Sequence, residues 1–197
     1  MRRNVAILCF DGVEVLDFAG PFEVFAVTDE LQGRDAFHTF TLAESPGAVR
    51  AVNGLKVIPD FTLETAPAPA VLVVPGGQGT RALLERPSLL EWVRRRAARA
   101  EVTLSVCTGA LVLARAGLLE GRRVTTHHEN LAELRQLAPA AIVDGTRRFH
   151  DTGPIVTAAG ISAGIDASLH VVGRLLGAGV AEQTMRYMEY GRFAQPA

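Results

Sequence analysis

The sequence predicts a single-domain α/β protein: a mostly parallel sheet sandwiched by helices. Three observations predict it. Short apolar runs recur along the chain, at Asn4–Phe10, Ala70–Val74 and Val102–Val106, the second of them continuously apolar. Segments with helical spacing separate them. Turn-forming glycine or proline follows the apolar runs, as in Val74-Pro75-Gly76-Gly77. Continuous apolar strands between helices imply parallel strands covered on both faces. The chain has 197 residues, an ordinary length for one domain, taken as 1–197.

The elements follow in order. Asn4–Phe10 reads as a buried strand. Pro21–Leu31 reads as a helix, with Gly20 and Pro21 as its cap and first position. Phe37–Ala43 and Leu55–Pro59 read as strands. Ala70–Val74 is a strand ending in a glycine-rich turn. Leu89–Ala100 reads as an amphipathic helix with Arg94, Arg95, Arg96 and Arg99 on its wet side. Val102–Val106 is a strand and Thr108–Ala116 a helix. Asn130–Leu137 is a short helix, and Val143 to Val156 suggests a hairpin or two short strands. Ser162–Leu176 and Val180–Tyr190 read as closing helices. No repeat, low-complexity tract or linker interrupts the series.

Composition narrows the function classes. The chain is 48% hydrophobic and 21% charged, with a formal net charge of −1. That balance is ordinary for a globular protein and offers no bulk attraction to nucleic acid or an anionic membrane. Two cysteines, Cys9 and Cys107, with no Cys-x-x-Cys, exclude a disulfide framework and a cysteine-rich zinc site. The N-terminal apolar run is cut by Asp11 and lacks a cleavage signature. No stretch approaches the ~20 apolar residues that span a bilayer. A cytoplasmic protein is expected.

Ligands in such sheets bind beyond the carboxyl ends of strands. Beyond Val102–Val106 stands Ser105-Val106-Cys107-Thr108-Gly109. Small residues two before and two after a nucleophile let a strand turn sharply into a helix. At that helix N-terminus, free N–H groups are expected to favour the Cys107 thiolate. The alternative is a buried structural cysteine, the role assigned to Cys9. Beyond Ala70–Val74, Gly76, Gly77 and Gln78 lack the Lys-Ser/Thr of a nucleotide-binding loop. The N–H groups of Gly77 and Gln78 instead suit an oxyanion pocket. A tight turn without a ligand is the alternative. Asp17, past the first strand, is a candidate proton donor or acceptor, with Glu14 a weaker competitor and Asp11 a turn residue. His127 or His128 could complete a Cys–His pair. Two adjacent histidines do not easily share a metal, and none is expected. His38, His150 and His170 read as surface or core residues.

These residues carry a resemblance. The chain resembles the ThiJ/PfpI superfamily, whose domain is flavodoxin-like and similar to class I glutamine amidotransferases. The stretches are Phe10 to Pro21, Val74 to Gly77, Ser105 to Gly109, and Thr157-Ala158-Ala159-Gly160-Ile161-Ser162-Ala163-Gly164-Ile165-Asp166. Thr108 follows the cysteine where peptidase-like members place histidine in or near the elbow. The Leu16-Asp17-x-x-Gly20-Pro21 opening and the Cys107-Thr108-Gly109 elbow look most like those of isonitrile hydratases. They also look like the ligand-binding domains of some AraC-type regulators. The resemblance implies Cys107 as nucleophile, Asp17 as acid/base and Thr108 as a hydroxyl steering water or substrate. It implies Gly76, Gly77, Gln78 and Ile161 as substrate- or oxyanion-binding positions, with His127 and His128 as possible auxiliaries. The implied reaction is hydration of an isonitrile to an N-substituted formamide, without cofactor. A thiol-based redox or small-ligand sensor, and a glyoxalase- or deglycase-like enzyme, are the alternatives. A homodimer is implied by analogy, with Phe18, Phe22 and Phe25 as a candidate apolar face. The chain ends about where such a domain should, so no DNA-binding module is expected.

Overall fold

The apolar runs form the centre of one sheet. The computed structural model describes residues 2–191. Strand β1 (Arg3–Leu8) leads into α1 (Val15–Leu31) and then β2 (Phe37–Ala43). Next come β3 (Val49–Arg50), β4 (Lys56–Val57), β5 (Phe61–Thr62) and β6 (Val71–Val74). Helices α2 (Thr80–Leu84) and α3 (Pro87–Ala97) precede β7 (Val102–Val106) and α4 (Gly109–Arg115). After β8 (Arg123–Val124) come α5 (Leu131–Leu137), β9 (Ile142–Val143), β10 (Phe149–Asp151) and β11 (Ile155–Ala158). Helices α6 (Ala163–Leu176) and α7 (Ala178–Tyr187) follow.

The main sheet has the order β10-β11-β7-β6-β1-β2-β5. Every pairing in it is parallel except β10 with β11 at one edge. The β1, β6 and β7 side chains from Val5 to Leu8, Val71 to Val74 and Val102 to Val106 are fully buried. Helices α1, α6 and α7 pack together, as do α2, α3, α4 and α5. This is the sandwich expected of continuous apolar strands.

Three expectations need correction. Helix α1 starts six residues early, at Val15, with Pro21 inside it rather than at its start. Glu14 is the cap: its side chain accepts from Val15 N–H at 3.2 Å, and its own N–H donates to Gly76 O at 2.9 Å. Gly20 serves packing instead, since an added Cβ would lie 3.0 Å from Ile165. The expected 55–59 strand shrinks to β4, paired only with β3 outside the main sheet. The edge of the main sheet is β5, seated by an edge-to-face contact of Phe61 on Phe40 at 4.9 Å. The hairpin expected in the 143–156 region forms between β10 and β11, while β9 pairs with β8 in a separate sheet. Finally, Phe18 and Phe25 are buried in the core, and Phe22 packs against it. The phenylalanine face is therefore spent within the protomer, and it no longer argues for a dimer.

Candidate active site

Three strand ends converge at the crevice of the sheet. The chain leaves β1 toward β2, while β6 lies on the other side of β1. Open α/β sheets bind ligands at such a switch point. Asp17 stands in the first turn of α1 beyond β1, Gly76 beyond β6, and Cys107 beyond β7.

Cys107 sits on the expected elbow. Its φ is 55°, a left-handed conformation that costs a non-glycine residue about 1–3 kcal/mol. Three hydrogen bonds hold it there. Its N–H is shared between Ala159 O at 2.9 Å and Ala158 O at 3.2 Å, and its carbonyl accepts from Thr126 Oγ1 at 2.7 Å. Gly109 is needed on the far side, because a Cβ there would lie 2.0 Å from Val74 O. Ser105, on the near side, is fully buried.

Asp17 is wholly buried. Its Oδ2 accepts from Gly76 N–H at 2.9 Å, while Oδ1 meets no hydrogen-bond donor of suitable geometry among the described residues. Burial raises its pKa to about 7. The Gly76 N–H opposes that rise, the Glu14 charge adds to it, and the Cys107 thiol, interacting with the carboxyl, also opposes it. A carboxyl tuned near neutrality is suited to moving protons.

The thiol itself departs from expectation. Its pKa is pushed up to about 12, not down. Burial is the largest cause and the Asp17 charge the second; the N–H groups of Thr108 and Ile161 and the Thr108 hydroxyl oppose them without prevailing. Helix α4 is short and begins two residues later, so its N-terminus does not outweigh a desolvated site beside a carboxylate. The two groups titrate as a coupled pair. Asp17 loses the first proton near 7 and Cys107 the second near 12, which leaves one proton on the pair between them.

The glycine-rich turn also behaves differently from the expected oxyanion pocket. Gly76 N–H is taken by Asp17, and Gly77 N–H donates to Thr108 Oγ1 at 2.9 Å. Gln78 is exposed and lines a separate cleft with Asp11, Arg50 and Asn53. The N–H groups of Gly76 and Gly77 are thus occupied within the protein. These glycines are required by proximity: a Cβ on Gly76 would lie 2.5 Å from Thr108 N, and one on Gly77 2.2 Å from Gly12 O. Thr108 Oγ1, buried, is also bonded by Thr80 Oγ1 at 3.2 Å, so it is positioned against the sulfur rather than in open solvent. Ile161 is the expected ligand-binding position that does reach the sulfur, through its N–H.

His127 and His128 do not complete a Cys–His pair; among the described residues no hydrogen bond joins a histidine to Cys107. The His127 ring lies against Gly160, where a Cβ would come within 2.3 Å of it, and its Nδ1 accepts from Glu129 N–H at 3.4 Å. His128 is exposed, its ring 4.3 Å from that of His127. Both line a shallow cleft beside Ile161. No cluster of three potential metal ligands occurs among the described residues. No described helix is long and apolar enough to cross a membrane. Thr126, which holds the elbow carbonyl, was invisible in the sequence. Nothing local marks a threonine whose partner is nineteen residues away.

The pair makes a prediction about alkylation. Iodoacetamide is expected to label Cys107 before Cys9, which is fully buried in β1 with its thiol also raised to about 12. Labelling should be slower than for a free cysteine, and its rate should still be rising above pH 9. Peptide mass spectrometry across pH checks this. A rate that levels off below pH 8.5, or labelling of Cys9 first, contradicts it.

Comparison with known proteins bears on the family and fold. The DJ-1/PfpI family model matches residues 3–174. An isonitrile hydratase of Pseudomonas putida is 35% identical over 190 residues, covering 96% of this chain and 79% of that protein. The HTH-type transcriptional regulator GbdR of Pseudomonas aeruginosa is 30% identical, covering 87% of this chain but 46% of its own length. The crystal structure of a ThiJ/PfpI family protein from Pseudomonas syringae superposes with a TM-score of 0.88 at 30% identity, over 98% of this chain and 77% of that one.

Proposed function

Since the chain belongs to the DJ-1/PfpI family, we propose that it hydrates isonitriles to N-substituted formamides, with Cys107 as nucleophile and Asp17 as proton carrier. The observation that carries this reading is the wholly buried Asp17 carboxyl set beside the Cys107 thiol at the ends of β1 and β7, burial raising both groups. The likeness to an isonitrile hydratase supplies the substrate class.

An isonitrile has one terminal carbon that accepts a nucleophile and a proton together. In the one-proton state, Asp17 takes the thiol proton as sulfur attacks that carbon. Asp17 then passes the same proton to the carbon, giving an S-linked thioimidate. Thiolate thus forms only as the bond forms, which suits a thiol whose resting state is neutral. The N–H groups of Thr108 and Ile161 face the sulfur and stabilise its charge. Water then adds to the thioimidate carbon and a proton goes to nitrogen. The C–S bond breaks, releasing the formamide and returning the proton to the pair. The sum is one isonitrile and one water for one formamide. The test is formamide appearance from a simple alkyl isonitrile under multiple turnover.

A second reading is favoured by the regulator relative: a sensor in which Cys107 binds or reacts once. Stoichiometric modification without turnover would select it. The glyoxalase- or deglycase-like reading draws less support, because it would be favoured by a histidine at Cys107.

Assembly is the third part of the proposal. A homodimer is expected by family analogy, and exposed Leu16 and Ile161 beside the site are its candidate apolar contacts. Light scattering at micromolar concentration should give twice the 21.0 kDa protomer mass; a monomer mass rules the dimer out.

A further inference from the structure

Ile161 combines two features. Its N–H faces the Cys107 sulfur. Its φ is 49°, a left-handed conformation that β-branched residues avoid. A strained residue persists only when its surroundings over-determine it. The inner side of its turn is held by Cys107, whose N–H bonds Ala158 O and Ala159 O.

The outer side is held by Arg148. Its carbonyl accepts from Ala159 N–H at 2.8 Å. Its guanidinium donates to Ser162 Oγ at 3.1 Å and pairs through Nε with Asp166 Oδ2. Asp166, in the first turn of α6, accepts on Oδ1 from Tyr190 O–H at 2.9 Å. Tyr190, just past α7, is itself fixed by its N–H to Met185 O at 3.0 Å. Arg148 thus grips residues before and after Ile161, and α7 buttresses the grip. Among the described residues no other side chain bonds both Ser162 and Asp166.

We propose that Arg148 is a positioning residue that clamps the Ile161 turn and so aims the Ile161 N–H at the Cys107 sulfur. It makes no hydrogen bond to the Cys107 sulfur and acts through Ile161, beside which it lines the cleft shared with His127 and His128. The ion pair is half-exposed, and such pairs add little to stability. Its value is geometric: a planar guanidinium can hold two partners at fixed angles, and an ammonium cannot. This inference rests on Cys107 being the reactive group, but not on the isonitrile.

The test is the rate of iodoacetamide reaction at Cys107 between pH about 7 and 9, with thermal melting alongside. Arg148→Met is expected to slow alkylation about tenfold at each pH, the effect of raising the thiol pKa by about one unit. Melting should change little. Arg148→Lys separates clamp from charge: it keeps the cation, loses the bridge, and should react as slowly as the methionine variant. Wild-type rates in Arg148→Lys would show that only charge matters and overturn the clamp. Wild-type rates in a folded Arg148→Met would overturn it outright. If Arg148→Met fails to fold, Tyr190→Phe removes only the buttressing hydroxyl. It should slow alkylation by a smaller factor, and no change would overturn the proposal. Alkylation needs no isonitrile, so a wild type without turnover defeats the substrate reading alone. Unchanged alkylation defeats the clamp alone.

Discussion

Cys107→Ala is expected to abolish formamide production from an alkyl isonitrile. Without sulfur no thioimidate forms, and nothing else in the site can replace it. Cys9 is fully buried inside β1. The Thr108 hydroxyl is engaged with Gly77 and Thr80. The loss should be chemical and not structural. Cys107 is held by main-chain bonds through its N–H and carbonyl, which alanine retains. Cys107→Ser is the sharper version. It keeps the shape and a hydrogen-bonding atom, yet an alcohol hardly ionises beside a buried carboxylate, so turnover should fall nearly as far. Formamide appearance is the measurement for all three proteins, with melting to verify the fold. Alanine turnover at the wild-type rate would end the covalent mechanism. A wild type that is modified once and does not turn over would transfer the site to the sensor reading.

Asp17→Asn is expected to lower turnover about a hundredfold, the usual size for a positioned acid or base. It should also change two pH profiles. In the wild type kcat/KM should rise as pH rises through about 7, because the one-proton pair forms when Asp17 ionises. The asparagine variant should lack that limb. Stability runs the other way. The folded pKa of Asp17, about 7, lies above its ordinary 3.8, so folding favours the neutral carboxyl. That contribution is complete below about pH 4 and is lost as pH rises to about 7. Above that, ionised Asp17 costs the fold on the order of 4 kcal/mol. Asparagine avoids the cost, so its melting temperature should gain on the wild type as pH rises from about 4 to about 7 and hold that gain above. A constant difference across that range would mean that Asp17 is not held neutral by burial. Full activity in the variant would move the proton-carrying role to another group.

The sequence by itself determined the layered sheet and the elbow. Apolar runs such as Val71–Val74, and Val102–Val106 with only the small polar Thr103 and Ser105 among them, are satisfied with both faces covered. The elbow was legible from its local frame, Ser105 and Gly109 flanking Cys107, although the reason position 109 must be glycine, the approach of Val74 O, is tertiary. Asp17 was found from its place past β1, although the start of its helix was not. That start depends on Glu14 N–H bonding Gly76 O, and no local pattern announces a partner sixty-two residues away. Only the tertiary structure decided the electrostatics and the donors. The turn glycines offer N–H groups, but Asp17 and Thr108 claim those of Gly76 and Gly77. Ile161, from the far end of the chain, supplies a donor at the sulfur instead. A helix N-terminus alone argues for a thiolate, and burial beside a carboxylate reverses that result. The physical reason is common to these cases. Backbone turns depend on neighbours in the chain, whereas desolvation and hydrogen-bond occupancy depend on everything packed around the atom.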